Sequence, residues 1–450
     1  MITELTHKDM HIIMELLACI ILGLISYVLI DNTVIYNVYV IALTIILLYF
    51  TFSEKDNIVR PFFFFTLSFF VFVWMRILLN VFGLADIITV GDGISTDNIR
   101  STAIVAGIIM ASMTIIAMIF RGYFSSKDFK FFRYDEQLVA FRGKTELLIV
   151  GVAILFFSYF LLDSIRKIQV VRTANYLDVS ETILVQGYRY FTIGKIFIWI
   201  WILLGQSKKR FYVGSTILAV SALGYMMRGA RGYAISYFFL WLLFFSFKHK
   251  IKFGTLVLIG LGVIFVASAV LDYRMGWTIS HGFFKKIIDL LQQQGATIEV
   301  VFGALVFRPE LQAKWPFGKV LIDSGQFGLA IDQTRGTGFT QGGFGDSFFA
   351  EVIFMRFPFN ILFIILMGIC VGLLEYCYQY DKKCNFDDVG ANIMLFMTMP
   401  NLIYFGRSNA TDFIRKVIEM LIIIYLFAYY MRGRMPADRK INSRSIRKES

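Results

Sequence analysis

The sequence predicts an all-α polytopic membrane protein, and two observations support that prediction. Of its 450 residues, 57% are hydrophobic and only 17% are charged, and the mean hydropathy is +0.67. The apolar residues also fall in runs close to the ~17 to 25 residues that a helix needs to cross a bilayer. A water-soluble globule of this composition is excluded.

Twelve apolar runs predict about 12 transmembrane helices in a single transmembrane domain over residues 1–450. The predicted spans are 12–30, 34–52, 61–83, 101–120, 146–163, 192–205, 211–227, 232–247, 253–271, 359–379, 391–406 and 412–430. The first run is too long for a signal-peptide core and no small-x-small cleavage site follows it. We therefore expect it to be retained as a span.

Lysine and arginine counts predict the orientation of the spans. With a cytoplasmic amino terminus, the inner segments hold 24 basic residues and the short outer loops hold eight. Positive charge in short loops favours the cytoplasmic side. Both termini are therefore predicted to be cytoplasmic, including a basic tail at 431–450. The net charge of +12 follows from this topology, so no nucleic-acid partner is expected.

The predicted topology places a long loop, 273–346, on the outer face. Within it, Ser280–Gln294 has apolar and polar residues on opposite sides and is followed by Gly295, which predicts an interfacial helix. The next run, Thr297–Phe307, is too short to span and is predicted to end at Pro309. The sequence leaves open whether this run is buried or re-entrant.

A glycine-rich stretch closes the long loop and leads into an apolar helix. Its glycines include Gly342, Gly343 and Gly345, which would let backbone N–H groups approach a substrate. Asp346 or Ser347 can cap the following helix, and Glu351 shares a helical face with Ser347. The carboxylate of Glu351 or Asp346 could accept a proton from an attacking hydroxyl. A capped turn at the membrane surface is the simpler alternative.

Three arginines lie where the predicted topology makes a free cation costly. Arg228 and Arg231 occupy a hairpin that barely clears the hydrocarbon, and Arg76 lies inside the third span. A guanidinium matches the oxygens of a diphosphate, so an anion site is one interpretation. Snorkelling to lipid phosphates is the alternative for the hairpin, and pairing with an acid on another helix is the alternative for Arg76.

Metal and cofactor chemistry lack suitable residues. The four histidines are scattered, no HExxH motif or cysteine pair is present, and no phosphate-binding loop follows a strand. We therefore predict no metal and no cofactor.

The layout resembles the bacterial O-antigen and capsule repeat-unit polymerases, the Wzy-type family. The resemblance covers most of the chain and rests on about a dozen spans, one large late outer loop, the hairpin Arg228-Gly-Ala-Arg-Gly232, and Gly-Gly-Phe-Gly-Asp-Ser-Phe-Phe-Ala-Glu351 before a span. It implies an inverting glycosyl transfer at the outer face of the bacterial inner membrane. A growing glycan would move from undecaprenyl diphosphate to a lipid-linked repeat unit. By carry-over it points to Arg228, Arg231 and Glu351, and also to Arg172 in loop 164–191.

That resemblance also implies partners and leaves rival functions open. Membrane lipid and an undecaprenyl-diphosphate-linked oligosaccharide would be bound, with a chain-length regulator and a flippase as further partners. An O-antigen ligase shares the layout, and His281 is the outer histidine it would use. A metal-dependent lipid-sugar transferase would need an acidic pair in the first outer loop, where only Asp31 occurs. A lipid-sugar flippase would place charge along several spans.

Overall fold

The computed structural model describes residues 5–52, 58–84, 95–127, 144–173, 185–205, 208–228, 231–247, 249–275, 283–295, 297–314, 347–385 and 388–433. Every regular element in these ranges is helical. The helices are α1 His7–Val28, α2 Thr33–Phe52, α3 Pro61–Val81, α4 Thr96–Ser126, α5 Lys144–Thr173, α6 Val185–Gly205, α7 Lys208–Met227, α8 Arg231–Ser246, α9 Phe253–Met275, α10 Phe283–Gln294, α11 Thr297–Val306, α12 Arg308–Lys314, α13 Phe348–Phe354, α14 Phe359–Lys383, α15 Val389–Ile403 and α16 Ala410–Gly433.

The all-α membrane fold is confirmed. Each of the twelve predicted spans lies on a helix of its own. Six helices in the described part of the chain, α1 to α5 and α14, are long and apolar enough to cross a membrane. Shorter apolar stretches occur within α8, α9, α11 and α15. The number twelve for the spans therefore stays a prediction.

The boundary predicted after the fifth span is wrong. That span was predicted to end at 163, with a loop over 164–191, but α5 continues to Thr173 and α6 begins at Val185. A hydropathy pattern ends where charged residues begin, whereas backbone hydrogen bonds can continue a helix beyond the apolar region. Arg172 therefore lies on the last turn of a helix rather than in a loop.

Helix α3 is the most enclosed of the six helices that are long enough to span, with 78% of its most apolar 18-residue stretch buried. A π-helical segment, Phe70–Trp74, interrupts it. The Trp74 indole donates to Thr44 Oγ1 at 2.9 Å and stacks on Phe69 at 5.2 Å. A π segment inserts an extra residue in a turn and rotates the residues that follow. Arg76 follows this segment by two residues and is buried.

Buried ion pairs fix both ends of α3. At its start, Arg60 Nη1 donates to Glu375 Oε1 of α14 at 3.0 Å, and the Phe62 backbone N–H donates to Glu375 Oε2 at 3.0 Å. Near its other end, Arg76 Nη1 donates to Glu299 Oε1 of α11 at 2.7 Å. All four charged side chains are at most 2% exposed. Each charge is thus neutralised where water is excluded.

The ion pairs join groups that the predicted topology places on one side. Asp9 pairs with Arg121 at 2.6 Å, and Glu146 pairs with Arg210 at 2.9 Å, both at predicted inner ends. Arg228 pairs with Asp163 at predicted outer ends. No pairing among these requires a charge to cross the predicted bilayer, so the packing agrees with the alternation of the spans.

Segment 273–346, which we call the outer segment because the predicted topology places it outside, contains a buried helix. α10 covers the described part of the predicted interfacial helix and ends before Gly295, as expected. α11 is buried from Thr297 to Ala304, so the structure favours a buried piece for the run that the sequence left open. The predicted ending at Pro309 is slightly off, because α11 ends at Val306 and Pro309 lies in the first turn of α12. Proline is tolerated there because first-turn N–H groups have no helical partner.

We expect Glu375→Ala to destabilise the fold strongly. The change leaves Arg60 buried without its carboxylate, which costs roughly 3–5 kcal/mol. Thermal unfolding in detergent should show a clear drop in the midpoint. Glu15→Ala is the matched control, since Glu15 is 35% exposed and pairs only with the exposed His11 in the described contacts. Equal midpoints for the two variants would contradict a structural role for the buried pair.

Candidate functional site

Arg228 is fully buried and is held by helix α5. Its Nε donates to Ser164 Oγ at 2.7 Å, its Nη2 donates to Asp163 Oδ2, and its guanidinium lies 5.0 Å from the centre of the Phe160 ring. Lys167 Nζ reaches the same Asp163 oxygen at 3.1 Å. Two cations therefore contact one carboxylate at this end of α5.

The other two predicted arginines of this face are placed only by their backbone. Arg231 begins α8, next to the tip residues 229–230, which lie outside the described residues. Arg172 lies near the end of α5. The side chains of both also lie outside the described part. Arg228 and Arg231 thus flank one tight hairpin between α7 and α8, as predicted.

Arg76 is directed towards the outer segment. Besides its bond to Glu299, its backbone is packed against Gly295, where an added Cβ would lie 2.8 Å from Arg76 Cβ and 3.2 Å from its N. The absence of a side chain at Gly295 lets the end of α10 approach α3 closely. Arg76 is 1% exposed. The guanidinium of Arg76 is therefore enclosed in the protein and bound to α11.

Ser347 begins α13 but does not cap it through its side chain. Its hydroxyl instead donates to the Gly406 carbonyl at 3.1 Å, and Gly406 N donates to Ser68 Oγ of α3 at 3.0 Å. Of the two residues predicted to cap this helix, Ser347 makes no side-chain capping hydrogen bond, and Asp346 lies outside the described residues. α13 does run from Phe348 to Phe354 and ends before Pro358, as predicted.

A short 3-10 turn, Phe405–Arg407, and the residue before it pack between the arginine hairpin and α13. Tyr404, immediately before it, stacks on Tyr233 at 5.9 Å and contacts Phe72 of the π segment at 5.2 Å. Phe405 packs on Phe348 at 5.9 Å, at the start of α13. The arginine hairpin, α3 and α13 therefore meet at one turn, which we call the 404–407 turn.

The close fit of this turn depends on Gly232, the second residue of α8. A Cβ at Gly232 would lie 2.4 Å from Tyr404 Cε2. A distance below 3.0 Å requires the ring to move. The Arg-Gly sequence at the start of α8 is thus explained by packing: the glycine admits Tyr404, and this brings Arg231 near the 404–407 turn.

Glu351 lies on the first turn of α13 and is fully buried. Its backbone N–H donates to the Ser347 carbonyl at 3.0 Å, so the two residues share the helical face expected from their spacing. Asp346, Gly342, Gly343 and Gly345 lie outside the described residues. The structure thus ties Glu351 to the 404–407 turn through Ser347.

The carboxyl end of α13 is held by the helix that precedes the glycine-rich stretch. Arg308 Nη2 donates to the Met355 carbonyl at 2.8 Å, and Gln312 Nε2 donates to the Phe354 carbonyl at 2.8 Å. Carbonyl groups at a helix end lack partners within the helix and accept such donors. These hydrogen bonds join α12, which precedes segment 315–346 in the sequence, to α13, which follows it.

Sequence reasoning missed the partners that position the arginines. Asp163 and Ser164 fell at the predicted end of a span, and Glu299 fell in a run too short to cross the membrane. A signal was present for Asp163, because an acid at the end of one outer span can neutralise an arginine at the end of another. No sequence spacing connects Arg76 to Glu299 over 223 residues.

These features define a polytopic helical membrane protein in which arginines are paired with acids at predicted helix ends. A family model described as O-antigen polysaccharide polymerase Wzy matches residues 11–326, well over half of the chain, so the chain belongs to that family. The matched region includes Arg76, Arg172, Arg228 and Arg231. Glu351 and the glycine-rich stretch lie beyond it.

A named relative agrees with the family. The chain is 30% identical over 274 residues to a protein named "O-antigen polymerase" from Escherichia coli. The similarity covers 60% of this chain and 61% of that relative, so it spans less than two thirds of the relative's length. No solved structure is a significant match to this chain.

We expect Gly232→Ala to separate the hairpin from the 404–407 turn. The added methyl group displaces the Tyr404 ring, an overpacking that costs roughly 1–3 kcal/mol. Tyr404→Ala removes the obstructing ring, so the double variant should be more stable than the sum of the single effects. Thermal unfolding of all three variants measures this coupling.

Gly260→Ala is the matched control for that experiment. It is also a helical glycine, and a Cβ there would meet nothing within 4 Å. Alanine favours a helix over glycine by up to about 1 kcal/mol, so the midpoint should hold or rise. Additive effects of Gly232→Ala and Tyr404→Ala would show that the contact between these residues does not couple the two elements.

Proposed function

We propose that the protein is a repeat-unit polymerase of the bacterial inner membrane. It transfers a growing glycan from undecaprenyl diphosphate to the sugar of an incoming lipid-linked repeat unit, with inversion at the transferred carbon. The reaction takes place at the outer face, and both termini are cytoplasmic. The observation that carries the proposal is the meeting of the arginine hairpin and the Glu351 helix at the 404–407 turn.

The diphosphate leaving group is bound at the arginine hairpin. Breaking the bond between sugar and diphosphate develops negative charge on the leaving oxygen, which nearby cations stabilise. Arg228 and Lys167 both contact the carboxylate of Asp163, so two cations lie at this end of α5. Arg228 is fully enclosed and organises this end of α5. Arg231, at the first position of α8, supplies the guanidinium that contacts the diphosphate, and Arg172 adds positive charge nearby.

The acceptor hydroxyl is activated by a carboxylate at the other side of the turn. Direct inversion needs one group that accepts the hydroxyl proton as the new glycosidic bond forms. Glu351 is our candidate for the base, with Asp346 as the alternative carboxylate five residues earlier. Gly342, Gly343, Gly345 and Ser347 are our candidates for contacts with the acceptor sugar. Arg76 acts indirectly in this scheme, because its bond to Glu299 holds the outer segment in place.

The lipid-linked substrates explain why the reaction is carried out by a membrane protein. Both substrates carry a polyprenyl chain that stays in the bilayer, so the site must open sideways as well as outwards. A flippase that delivers repeat units and a chain-length regulator are the further partners this reaction would use. This class of substrate also explains why the candidate residues lie at helix ends on one side of the predicted membrane.

Glu351→Gln should give a folded protein that does not extend chains. The amide keeps the shape of the side chain but cannot accept the proton, which removes a contribution of roughly 10²–10⁴ in rate. The test is complementation of a deletion strain, followed by glycolipid electrophoresis and an unfolding measurement. We expect one short band in place of a ladder.

Glu310→Gln provides the matched control, because Glu310 is an exposed glutamate on the neighbouring helix α12. It should restore the full ladder. A ladder from Glu351→Gln would transfer the role of base to Asp346 or remove it from this helix. If deletion of the protein instead left long polymer on its lipid carrier, the ligase alternative would replace the polymerase proposal.

Arg231→Gln and Arg228→Gln should differ in their effect on stability. Loss of the diphosphate contact at Arg231 should slow extension by about 10²–10³, as for removal of one oxyanion donor, with little change in unfolding. Loss of Arg228 should lower both activity and stability, because Asp163 loses one of its two cations and Ser164 loses the donor to its hydroxyl. Arg166→Gln, an exposed arginine on α5, is the control. Normal extension by Arg231→Gln would exclude the diphosphate contact.

A further inference from the structure

The guanidinium of Arg308, on α12, is a feature that the proposed reaction leaves unexplained. Its Nη2 donates to the Met355 carbonyl at 2.8 Å, whereas its Nε is enclosed without a hydrogen-bond partner. No carboxylate in the described part of the chain forms an ion pair with it. A guanidinium has five N–H donors, so most of them are left for a further acceptor.

The absence of an acid beside Arg308 sets it apart from the other enclosed arginines of the candidate site. Arg76 and Arg228 each pair with an acid, as Arg60 does at the start of α3. Arg308 is half-buried, and Glu310, two residues later on the same helix, is exposed. A partly enclosed cation without a counter-ion is costly, and an anion supplied from outside the protein offsets that cost.

A second arginine lies beside the first. Arg356 directly follows Met355, whose carbonyl Arg308 holds, and its side chain is exposed. The side chain of Arg356 is long enough to reach the surroundings of the Arg308 guanidinium. Each guanidinium presents a planar fork of donors that matches phosphate oxygens. Two such groups at the carboxyl end of α13 suit a diphosphate.

An exposed apolar surface begins next to Arg356. Phe357 is 76% exposed and Phe359 is 43% exposed, and Ile361 and Leu362 are each 46% exposed. Helix α14, which carries three of these side chains, is long and apolar enough to cross a membrane, and the predicted topology places its start outside. A lipid chain can lie along this surface, whereas the two arginines select the charge of its headgroup.

The proposed reaction needs a second site for a lipid diphosphate. The donor diphosphate leaves at the arginine hairpin, whereas the carrier of the incoming repeat unit keeps its diphosphate. Two diphosphates in one place would repel each other. Glu351, the candidate base, and Met355 lie on the same short helix, ~6 Å apart at ~1.5 Å per residue. A carrier held by Arg308 would therefore lie at the helix that carries the base.

We propose that Arg308 and Arg356 bind the diphosphate of the lipid carrier that bears the incoming repeat unit, with its polyprenyl chain along the exposed face of α14. The proposal rests on the proposed polymerase function and adds to it the site of the second substrate. The hairpin and the carboxyl end of α13 then hold one carrier each.

Binding without turnover tests this proposal. The full chain carrying Arg231→Gln, so that the hairpin contact does not mask the effect, is placed in phosphatidylcholine nanodiscs with undecaprenyl diphosphate. Native mass spectrometry measures the bound carrier. Adding Arg308→Gln should weaken binding about tenfold or more, because a charge-assisted contact is lost. Adding Arg356→Gln should weaken it as well without changing thermal unfolding, because Arg356 is exposed.

Gln312→Ala is the matched control in the same background. Gln312 is also on α12 and donates to the neighbouring Phe354 carbonyl at 2.8 Å, so its loss breaks an equivalent hydrogen bond without changing the charge. It should bind the carrier as the Arg231→Gln chain does. Equal losses from Arg308→Gln and Gln312→Ala, or full binding by Arg308→Gln, would show that Arg308 only anchors α13. Complete displacement of the carrier by an equal amount of phosphatidylglycerol would assign the site to ordinary anionic phospholipid and overturn the proposal.

The kinetics of extension distinguish this site from the hairpin. Membranes are supplied with lipid-linked repeat units from a strain that lacks the polymerase. Arg308→Gln should raise KM about tenfold with little change in kcat, because the retained diphosphate is bound equally before and during the reaction. Arg231→Gln should instead lower kcat. A fall in kcat alone for Arg308→Gln would remove it from binding of the incoming carrier.

The outcomes separate this proposal from the proposed function. If the unaltered chain forms a polymer ladder and Arg308→Gln retains full carrier binding and KM, the second site fails and the polymerase stands. If the carrier binds in a manner that depends on Arg308 and the unaltered chain forms no polymer, the polymerase fails while the diphosphate site stands.

Discussion

The neutralisation of buried arginines is the constraint on which the rest of this structure depends. A guanidinium enclosed by apolar helices is tolerated only beside an acid, and removal of one partner costs far more than the pair contributes. Helix α3 meets this constraint at both ends, through Arg60 with Glu375 and Arg76 with Glu299. The two pairs join α3 to α14 and to the buried helix of the outer segment. The position of α3 fixes in turn the π segment and Ser68, against which the 404–407 turn packs.

The 404–407 turn brings the elements of the candidate site together. Tyr404 occupies the space that Gly232 leaves open, and Gly406 accepts the hydroxyl of Ser347 while its own N–H donates to Ser68. Three segments distant in sequence are thereby brought to one place by a few residues. The 404–407 turn therefore sets the position of the arginine hairpin relative to the Glu351 helix.

Hydropathy predicted the fold well because span formation is a local property. Each apolar run forms its own backbone hydrogen bonds, so its position can be read from residues within one segment. The hairpin of Arg228 and Arg231 and the helix with Ser347 and Glu351 were local in the same sense, and both have the predicted secondary structure. Helix ends were less predictable, as α5 shows, because a helix does not stop where its apolar residues stop.

The contacts of the candidate site were not predictable in this way. Glu299 reaches Arg76 only because the run after Gly295 is buried beside α3, a consequence of long-range packing. Ser347 was one of two residues expected to cap this helix, and its hydroxyl instead donates to a carbonyl 59 residues away in sequence. The roles of the named residues in catalysis stay predictions, since no spacing in the sequence determines which side chain meets the substrate.

The sequence separation within the α3 pairs has a consequence for biosynthesis. Arg76 emerges from the ribosome 223 residues before Glu299, and Arg60 emerges 315 residues before Glu375. The early helices must therefore enter the membrane with both cations still lacking these carboxylates. The final packing of α3 can be completed only after α14 has been inserted, so a truncated chain that lacks α14 would expose an uncompensated charge to the cellular machinery that degrades misassembled membrane proteins.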